Sequence, residues 1–355
     1  MLFESGINIS NSRSSRFNQK RGIIIETRKV QQTGGSTYII SLPKQWAEKV
    51  GIKTGTRVSI QPQPDGKLLI NPILEERSIK TKKIDVTGCG AKALERDIIA
   101  AYLHGYDRIE LFSERILVEQ KQTIRKVCYK LIGPEITEET SNCVIIQDLL
   151  NPNELPIKKS VQRMFLIATS MQKDAVRAFK TIDYDLALDV SQRDDEVDRL
   201  YLLISKQFRS ILCEGGMPGT TETGIEEYHE FRMAASPIER IADHAQKIAN
   251  TASKMQELVD DKVMEEVDKL NAAYMELVKQ SVEALFEANT SLANQVIDNV
   301  DNMRAWVEEL HESILKLESN EIMISLGTVV DSLSRIGDLS SNIAEIAINM
   351  AIRDR

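Results

Sequence analysis

The sequence predicts a multidomain protein with a small N-terminal β domain, a short α/β segment and an all-α body of two tandem three-helix bundles. Three observations predict this order. Hydrophobic residues recur about every 3.6 positions from residue 158 onward, whereas the first 72 residues contain short β-branched runs separated by glycines. The helical part contains an internal repeat, and only the N-terminal part is basic.

Residues 1–21 are rich in serine and asparagine and lack a continuous apolar stretch. They are therefore predicted to form a flexible tail and not a secretory signal. The sequence has no run of about 18 apolar residues, so we expect no membrane insertion. The four cysteines are scattered without the close pairs of a zinc or redox motif. These features predict a cytoplasmic protein with reduced thiols.

Residues 22–72 carry the pattern of two β-hairpins. The first pairs a run at 23–30 with one at 35–42 across Gly34-Gly35, and the second turns at Asp65-Gly66. A short helix is predicted between Pro43 and Gly51. A unit of about 50 residues buries little apolar surface by itself, so we expect it to dimerise.

The N-terminal part is the basic end of an acidic chain. Residues 1–72 contain 11 Lys and Arg against 4 Asp and Glu, a net charge of +7. Because the whole chain carries −8, the remainder carries −15. A basic head on an acidic body indicates that the head is the part that meets a polyanion.

Three segments of the head, at 28–30, 35–46 and 51–58, resemble the AbrB/SpoVT DNA-binding family in the order strand, Leu-Pro-Lys, short helix, Gly-Ile, Gly, strand. The resemblance implies an intertwined dimer of swapped hairpins that presents basic loops to DNA. It places four cations at the DNA, namely Arg28, Lys29, Lys44 and Arg57. Such groups neutralise phosphates, and arginine also reads guanine edges. The alternative is that each is an ordinary solvated surface cation.

Residues 77–150 are predicted to form a small α/β linker domain of the βαβαβ type. Its strands are expected at 82–86, 108–112 and 141–146, and its helices at 91–104 and 118–132. The Gly88-Cys89-Gly90 stretch favours a tight turn over a phosphate-binding loop, because no Walker or dinucleotide pattern surrounds it. We assign no chemistry to this segment.

The body repeats itself as bundles at 158–255 and 260–355. Their third helices align at an offset of 95 residues, with identical pairs Arg240/Arg335, Ile241/Ile336, Asp243/Asp338, Ile248/Ile343 and Ala249/Ala344. The first two helices align at an offset of 106, so the first copy has 11 more residues before its third helix. A glycine-rich stretch at 215–224 accounts for this longer loop.

Four acids in the first copy need an explanation. Asp194 and Asp198 lie four residues apart on one helix face, and Glu239 and Asp243 have the same spacing on the third helix. If the two pairs face each other, bound cations would relieve the repulsion, and carboxylate oxygens suit hard divalent or ferric ions. The alternative is a solvated acidic face with neighbouring arginines as partners.

The stretches at 193–200 and 238–249 resemble the PhoU family of phosphate-uptake regulators. The resemblance covers residues 158–355 and implies tandem three-helix bundles that bind multinuclear iron or zinc clusters through Asp194, Asp198, Glu239 and Asp243. In the second copy, the first three of these acids align with Val300, Arg304 and Ser334, and only Asp338 remains acidic. We therefore expect one metal site, in the first copy, and expect Arg304 to supply positive charge in the second.

The leading functional hypothesis is a DNA-binding transcriptional regulator of phosphate uptake, with DNA, itself and a phosphate transporter component as partners. The first alternative is an adaptor that docks on a phosphate ABC transporter without binding DNA. A remote alternative is a di-metal carboxylate enzyme, suggested by the Glu-x-x-His pattern of Glu226 and His229. We find no nucleophile–base pair and expect neither catalysis nor an organic cofactor.

Overall fold

A computed structural model describes residues 26–62, 66–72, 79–150, 155–214 and 224–352. The expected tail at 1–21, residues 23–25 of the first predicted strand, and the loop at 215–223 lie outside the described residues. The chain divides into two compact units, residues 1–77 and residues 78–355.

The N-terminal unit contains two hairpins and one short helix. Its elements are β1 (Gln31–Thr33), β2 (Thr37–Ile39), α1 (Lys44–Lys49), β3 (Ser59–Pro62) and β4 (Leu68–Asn71). Both strand pairs, β1 with β2 and β3 with β4, are antiparallel. Gly34 and Gly35 both adopt positive φ in the first turn, a conformation that glycine reaches without a steric cost.

The first strand begins later than the sequence predicted. Residues 26–30 form no strand, and β1 starts at Gln31. In one chain β1 pairs with β2 over only three residues, from Gln31 opposite Ile39 to Thr33 opposite Thr37. Residues 26–30 lie beyond this pairing, so their backbone groups have no ladder to join.

The N-terminal unit has no core of its own in the described residues, since none of them before Val86 is buried. Apolar side chains that would normally form a core are exposed, namely Val30, Tyr38, Ile39, Ile40, Ile60 and Leu68. Tyr38 retains 72% of its accessible surface. A single copy of this unit therefore gains little hydrophobic stabilisation.

The second unit begins with an α/β layer. Its elements are β5 (Thr81–Asp85), α2 (Ala91–Leu103), β6 (Arg108–Phe112), α3 (Val118–Tyr129), β7 (Pro134–Glu139) and β8 (Cys143–Asp148). The strand order is β5-β6-β8-β7, with β5 and β6 parallel and the other pairs antiparallel. The βαβαβ prediction missed β7, an edge strand whose sequence Pro-Glu-Ile-Thr-Glu-Glu lacks the β-branched pattern of a buried strand. Helix α3 ends at Tyr129, three residues before the predicted end.

The Gly88-Cys89-Gly90 turn has a structural role. Gly88 has a φ of 70°, and the Gln120 side chain donates hydrogen bonds to the carbonyls of Val86 at 2.8 Å and Cys89 at 3.0 Å. Gln120 is itself buried. The buried Gln120 amide therefore holds the turn in place. This agrees with the prediction that the stretch forms a tight turn and not a phosphate-binding loop.

The body consists of long helices with one continuous core. They are α4 (Ile157–Thr181), α5 (Tyr184–Glu214), α6 (Ile225–Ala252), α7 (Asp261–Glu287), α8 (Thr290–Asn302), α9 (Arg304–Ile314) and α10 (Asn320–Ile352). The first copy has the three expected helices. In the second copy the middle helix is interrupted at Met303, so α8 and α9 together replace the single predicted helix.

The two copies also share the backbone conformation at the end of their first helix. Ile182 ends α4 and Ala288 ends α7, and both adopt left-handed φ values, 51° and 50°. They are related by the same offset of 106 residues that aligns the helices. Non-glycine residues seldom adopt this conformation, so its occurrence at matching positions indicates that both copies share one helix-ending geometry.

Helix α5 joins the α/β layer to the body. Arg199 donates a hydrogen bond to the carbonyl of Leu131 at 3.4 Å. Lys206 forms an ion pair with Asp148, and its ammonium group lies 4.5 Å from the ring centroid of Tyr102. Leu202 packs into the core of the α/β layer. These α5 residues recur at a helical spacing and form one face. The α/β layer is thus held to the first bundle by a second face of α5.

No helix in the described ranges is both long enough and apolar enough to cross a bilayer.

The contact between the first and third helices is packed with different residues in the two copies. Gly337 on α10 approaches the Tyr274 ring on α7 so closely that an added Cβ would lie 2.2 Å from it. At the same offsets the first copy has Ala168 and Ala242. A large ring against glycine in one copy therefore replaces two small side chains in the other.

We expect Gly337→Ala to lower the free energy of unfolding by about 1–3 kcal/mol, because the new methyl group overlaps the buried Tyr274 ring. Urea denaturation followed by circular dichroism measures this change. Adding Tyr274→Ala, which recreates the alanine pair of the first copy, removes the overlap. If Gly337→Ala costs the same with and without Tyr274, the proposed contact is wrong.

Candidate functional site

The candidate site is a cluster of four carboxylates on α5 and α6, which pack against each other in the first bundle. Asp194 and Asp198 lie on α5, and Glu239 and Asp243 lie on α6. The charges of Asp198, Asp243 and Glu239 all act on Asp194, so the structure brings the two predicted pairs together. Asp194 is buried, with 8% of its surface accessible.

The electrostatics of this cluster are those of crowded anions. Burial, together with Asp198, Asp243 and Glu239, raises the pKa of Asp194 to about 7. Burial, together with Asp243 and Asp198, raises the pKa of Glu239 to about 7. Burial is also the main cause that raises the pKa values of Asp198 and Asp243. The cluster therefore favours an added positive charge, either protons or a cation.

Three further side chains surround the cluster. Gln246 donates from Nε2 to Oδ2 of Asp194 at 2.7 Å. Arg240 offsets part of the burial-driven rise in the pKa values of Glu239 and Asp243, and Lys130 from the α/β layer offsets part of the rise for Asp198. Neither Lys130 nor Gln246 was predicted from the sequence. Only the docking of the α/β layer on α5 reveals Lys130, whereas Gln246 lies one turn after Asp243 on the same helix.

The donor chemistry suits a hard cation, since four carboxylates converge with few positive neighbours. In the arrangement described here, however, no three His, Cys, Asp or Glu side chains within the described ranges are grouped closely enough to hold a metal ion. Metal binding would therefore require these carboxylates to draw closer together. The resemblance-based iron or zinc cluster stays a prediction.

The second copy replaces the acidic cluster with packing and ion pairs. Val300 is buried, and Ser334 hydrogen-bonds to the Tyr274 side chain. The Arg304 guanidinium lies 3.8 Å from Asp338, the acid that this copy retains, and 3.0 Å from Asp301. Arg304 thus supplies positive charge at the position where the first copy has Asp198.

The four predicted DNA-facing cations are all exposed positions of the N-terminal unit. Arg28 forms an ion pair with Glu26, and Lys44 lies 3.8 Å from Glu48. Lys44 retains 87% of its side-chain accessibility, so this pair is a weak, solvated one. Lys29 and Arg57 are likewise exposed.

Comparison with known proteins identifies both parts of the chain. Residues 161–252 and 267–347 match the PhoU domain. The helical body consists of PhoU domains. The two matched segments fall in the two copies of the repeat, so the PhoU body is a tandem pair of domains. Residues 31–78 match the model described as antidote-toxin recognition MazE, bacterial antitoxin, and this AbrB-like match lies over the basic head.

The relatives support the same assignment. The phosphate-specific transport system accessory protein PhoU homolog 1 of Thermotoga maritima is 23% identical over 54% of this chain and 84% of its own length. The PhoU homolog of Caulobacter vibrioides is 36% identical over 26% of this chain and 38% of its own length. The crystal structure of PhoU from Pseudomonas aeruginosa has a TM-score of 0.51 at 20% identity, covering 56% of this chain and 96% of that one, which establishes a shared fold.

Histidines of the PhoU body lie outside the carboxylate cluster. His244 follows Asp243 but is turned by about 100° along the helix. Burial, followed by Lys247, Arg240 and Arg335, lowers its pKa. Its Nδ1 atom is buried without a hydrogen-bond partner in the described structure. A neutral imidazole surrounded by cations is a poor site for a metal ion.

The Glu-x-x-His pattern of the remote enzyme hypothesis lies elsewhere on α6. Glu226 and His229 line a pocket of about 420 Å³ together with Phe208, whose ring centroid is 5.6 Å from that of His229. These residues are not part of the cluster at Asp194. The tilted contact of the His229 ring with the Phe208 ring gives the histidine a packing role.

We expect Asp194→Asn to raise the melting temperature of metal-free protein at pH 8 by about 2–4 °C, the shift that about 1 kcal/mol produces in a domain of this size. The substitution removes a buried anion, and the new Oδ1 atom still accepts from Gln246. Differential scanning fluorimetry after chelation measures the shift.

The sign of the pH dependence follows from the raised pKa of Asp194. In the folded state its pKa is about 7, above its ordinary value of 3.8. Ionisation therefore destabilises the fold progressively from about pH 4 to pH 7, and the full cost is present above pH 7. The advantage of Asp194→Asn should shrink as the pH falls from 8 to 5. An advantage that is constant with pH would contradict this electrostatic explanation.

Proposed function

We propose that this protein is a DNA-binding transcriptional regulator of phosphate uptake, in which the basic head binds operator DNA and the PhoU body senses metal state or a partner. The observation that carries the proposal is the presence of an AbrB-like head and two PhoU domains on one chain. The first is the type of module that binds DNA as a dimer. The second belongs to proteins named for phosphate transport systems.

Charge supports the assignment of DNA binding to the head. The first 72 residues carry +7, although the whole chain carries −8. Arg28, Lys29, Lys44 and Arg57 are exposed and are available to phosphates. The ion pair of Lys44 with Glu48 is solvated, so it costs little to exchange for a DNA phosphate.

A homodimer would complete the head. The exposed Tyr38, Ile40 and Ile60 side chains form no core within one chain. A second copy would cover them and would give residues 26–30 strands to pair with. Such a dimer presents two basic surfaces to an operator with two related half-sites. Sedimentation of the full chain at the mass of one protomer at micromolar concentration would contradict this dimer.

The second candidate is an adaptor that docks on a phosphate ABC transporter while the head serves only to dimerise. The names of the Thermotoga and Clostridium acetobutylicum relatives, accessory proteins of a phosphate-specific transport system, favour it. The two candidates differ in one property, which is binding of DNA by the head.

We expect the full chain to bind promoter DNA of a phosphate-transport operon, and Arg28→Ala/Lys44→Ala to weaken binding at least tenfold. Removing two phosphate contacts from each protomer of the proposed dimer should also reduce the slope of log K against log salt by about 4. Fluorescence anisotropy at several salt concentrations measures both quantities.

The matched control is Lys49→Ala/Lys53→Ala, which removes the same charge from exposed positions of the same unit. Near-parental affinity in this control, with loss in Arg28→Ala/Lys44→Ala, supports the assigned contact residues. Equal loss in both variants would indicate a general charge effect. No binding by the parental protein would favour the adaptor.

We also propose that Asp194, Asp198, Glu239 and Asp243 hold a multinuclear iron or zinc cluster. The support is the mutual electrostatic repulsion of these carboxylates, which a bound cation relieves. A cluster bound there would tie α5 to α6. The regulator would then sense the cation as a change in the stability of the first bundle.

Adding ferric iron or zinc to metal-free protein should raise its melting temperature, because the ion binds the folded state alone. Asp243→Asn should abolish most of this rise. The repeat supplies the matched control, Asp338→Asn, which changes the equivalent acid of the second copy and should leave the rise intact. Metal content measured by mass spectrometry gives an independent readout. Equal effects of the two variants would contradict the site.

A further inference from the structure

A second polar pocket lies beside the carboxylate cluster, between the end of α6 and the start of α10. Its volume is about 560 Å³, and no acidic residue lines it. Polar residues form most of the lining: Gln246, Lys247, Asn250, Thr251, Lys254, Ser325 and Thr328. In a part of the chain whose net charge is −15, a pocket lined by lysines without acids is unusual.

The polar groups of this pocket are available as donors. Neither Lys247 nor Lys254 forms a salt bridge with any residue in the described ranges. The Asn250 Oδ1 atom accepts from Ser191 at 3.2 Å, which leaves the Asn250 amide NH₂ to donate into the pocket. Ser325 likewise makes no side-chain hydrogen bond within the described structure. The two lysine ammonium groups, the Asn250 NH₂ group and the Ser325 hydroxyl therefore line one pocket. None of these four donor groups has a hydrogen-bond acceptor within the described structure.

We propose that this pocket binds a small organic phosphate. A phosphate group carries up to two negative charges and several acceptor oxygens, which match two lysines and neighbouring neutral donors. A bare phosphate ion would fill only a small part of about 560 Å³. The exposed Ile324 side chain contributes an apolar wall for the organic part of the ligand. The volume is that of sites for nucleotide-sized molecules.

The pocket shares one residue with the carboxylate cluster. Gln246 lines the pocket, and its amide donates to Asp194 at 2.7 Å and to the Ser191 carbonyl at 3.4 Å. Ser191 is also the partner of Asn250. A ligand that contacts Asn250 or Gln246 therefore contacts a side chain that is itself hydrogen-bonded to α5. This places a ligand site next to the predicted sensing site, although the proposal does not depend on DNA or metal binding.

The test is isothermal titration calorimetry of the full, metal-free chain with AMP, ATP without magnesium, and inorganic phosphate, each in 150 mM sodium chloride. Lys247→Met/Lys254→Met removes both charges but keeps the aliphatic length of the side chains. The matched control is Lys159→Met/Lys173→Met, which removes two exposed lysines of α4 that line neither pocket described above. Circular dichroism establishes that both variants stay folded.

We expect AMP or ATP to bind the parental chain and the control saturably, with affinity at least tenfold above that for inorganic phosphate. The Lys247→Met/Lys254→Met variant should bind at least tenfold more weakly. If the two variants lose affinity equally, or if no organic phosphate binds the parental chain, the proposal is overturned. Binding of inorganic phosphate as strong as that of AMP overturns the assignment to an organic ligand. A variant Ser325→Trp, which fills the pocket without changing its charge, should also lose AMP binding.

Discussion

The organisation of the second unit depends on the packing of one helix, α5, against two partners. One face carries Asp194 and Asp198 towards α6, and another carries Arg199, Leu202 and Lys206 into the α/β layer. A packed helix is a rigid element, so α5 connects the carboxylates physically to the α/β layer. Lys130 makes this connection electrostatic as well, since it lies in the α/β layer and offsets part of the burial-driven rise in the pKa of Asp198.

The two PhoU repeats show how one fold accommodates opposite requirements. The first copy concentrates buried acids at the contact between its second and third helices, and burial raises their pKa values. The second copy replaces three of them, with Val300 in the core and Arg304 paired to Asp338. Its middle helix is interrupted at Met303, next to Arg304. One copy therefore holds mutually repelling buried carboxylates, whereas the other pairs its retained acid with arginine.

The head illustrates a different constraint. A sheet of short strands is stabilised by burying one face, and this head exposes Tyr38, Ile40 and Ile60 in a single chain. A single chain therefore leaves this face without a core. In the proposed homodimer, covering this face would couple folding of the head to association, and it would bring the two proposed DNA-facing surfaces together.

Much of this protein was readable in the sequence. The repeat offsets of 95 and 106 residues determined the tandem bundles, because equivalent helices bury equivalent faces, and the four-residue spacing of the acids determined that each pair shares a face. The charge asymmetry separated the basic head from the acidic body. Strand β7 was missed because its acidic residues conceal an edge strand, and the break at Met303 was missed because helical periodicity continues across it. Only the tertiary structure decided that the two acidic pairs meet, that Lys130 lies near them, and that Lys247 and Lys254 share a pocket with α10. These are long-range contacts, and a local pattern specifies which face of a helix is buried but not which partner covers it.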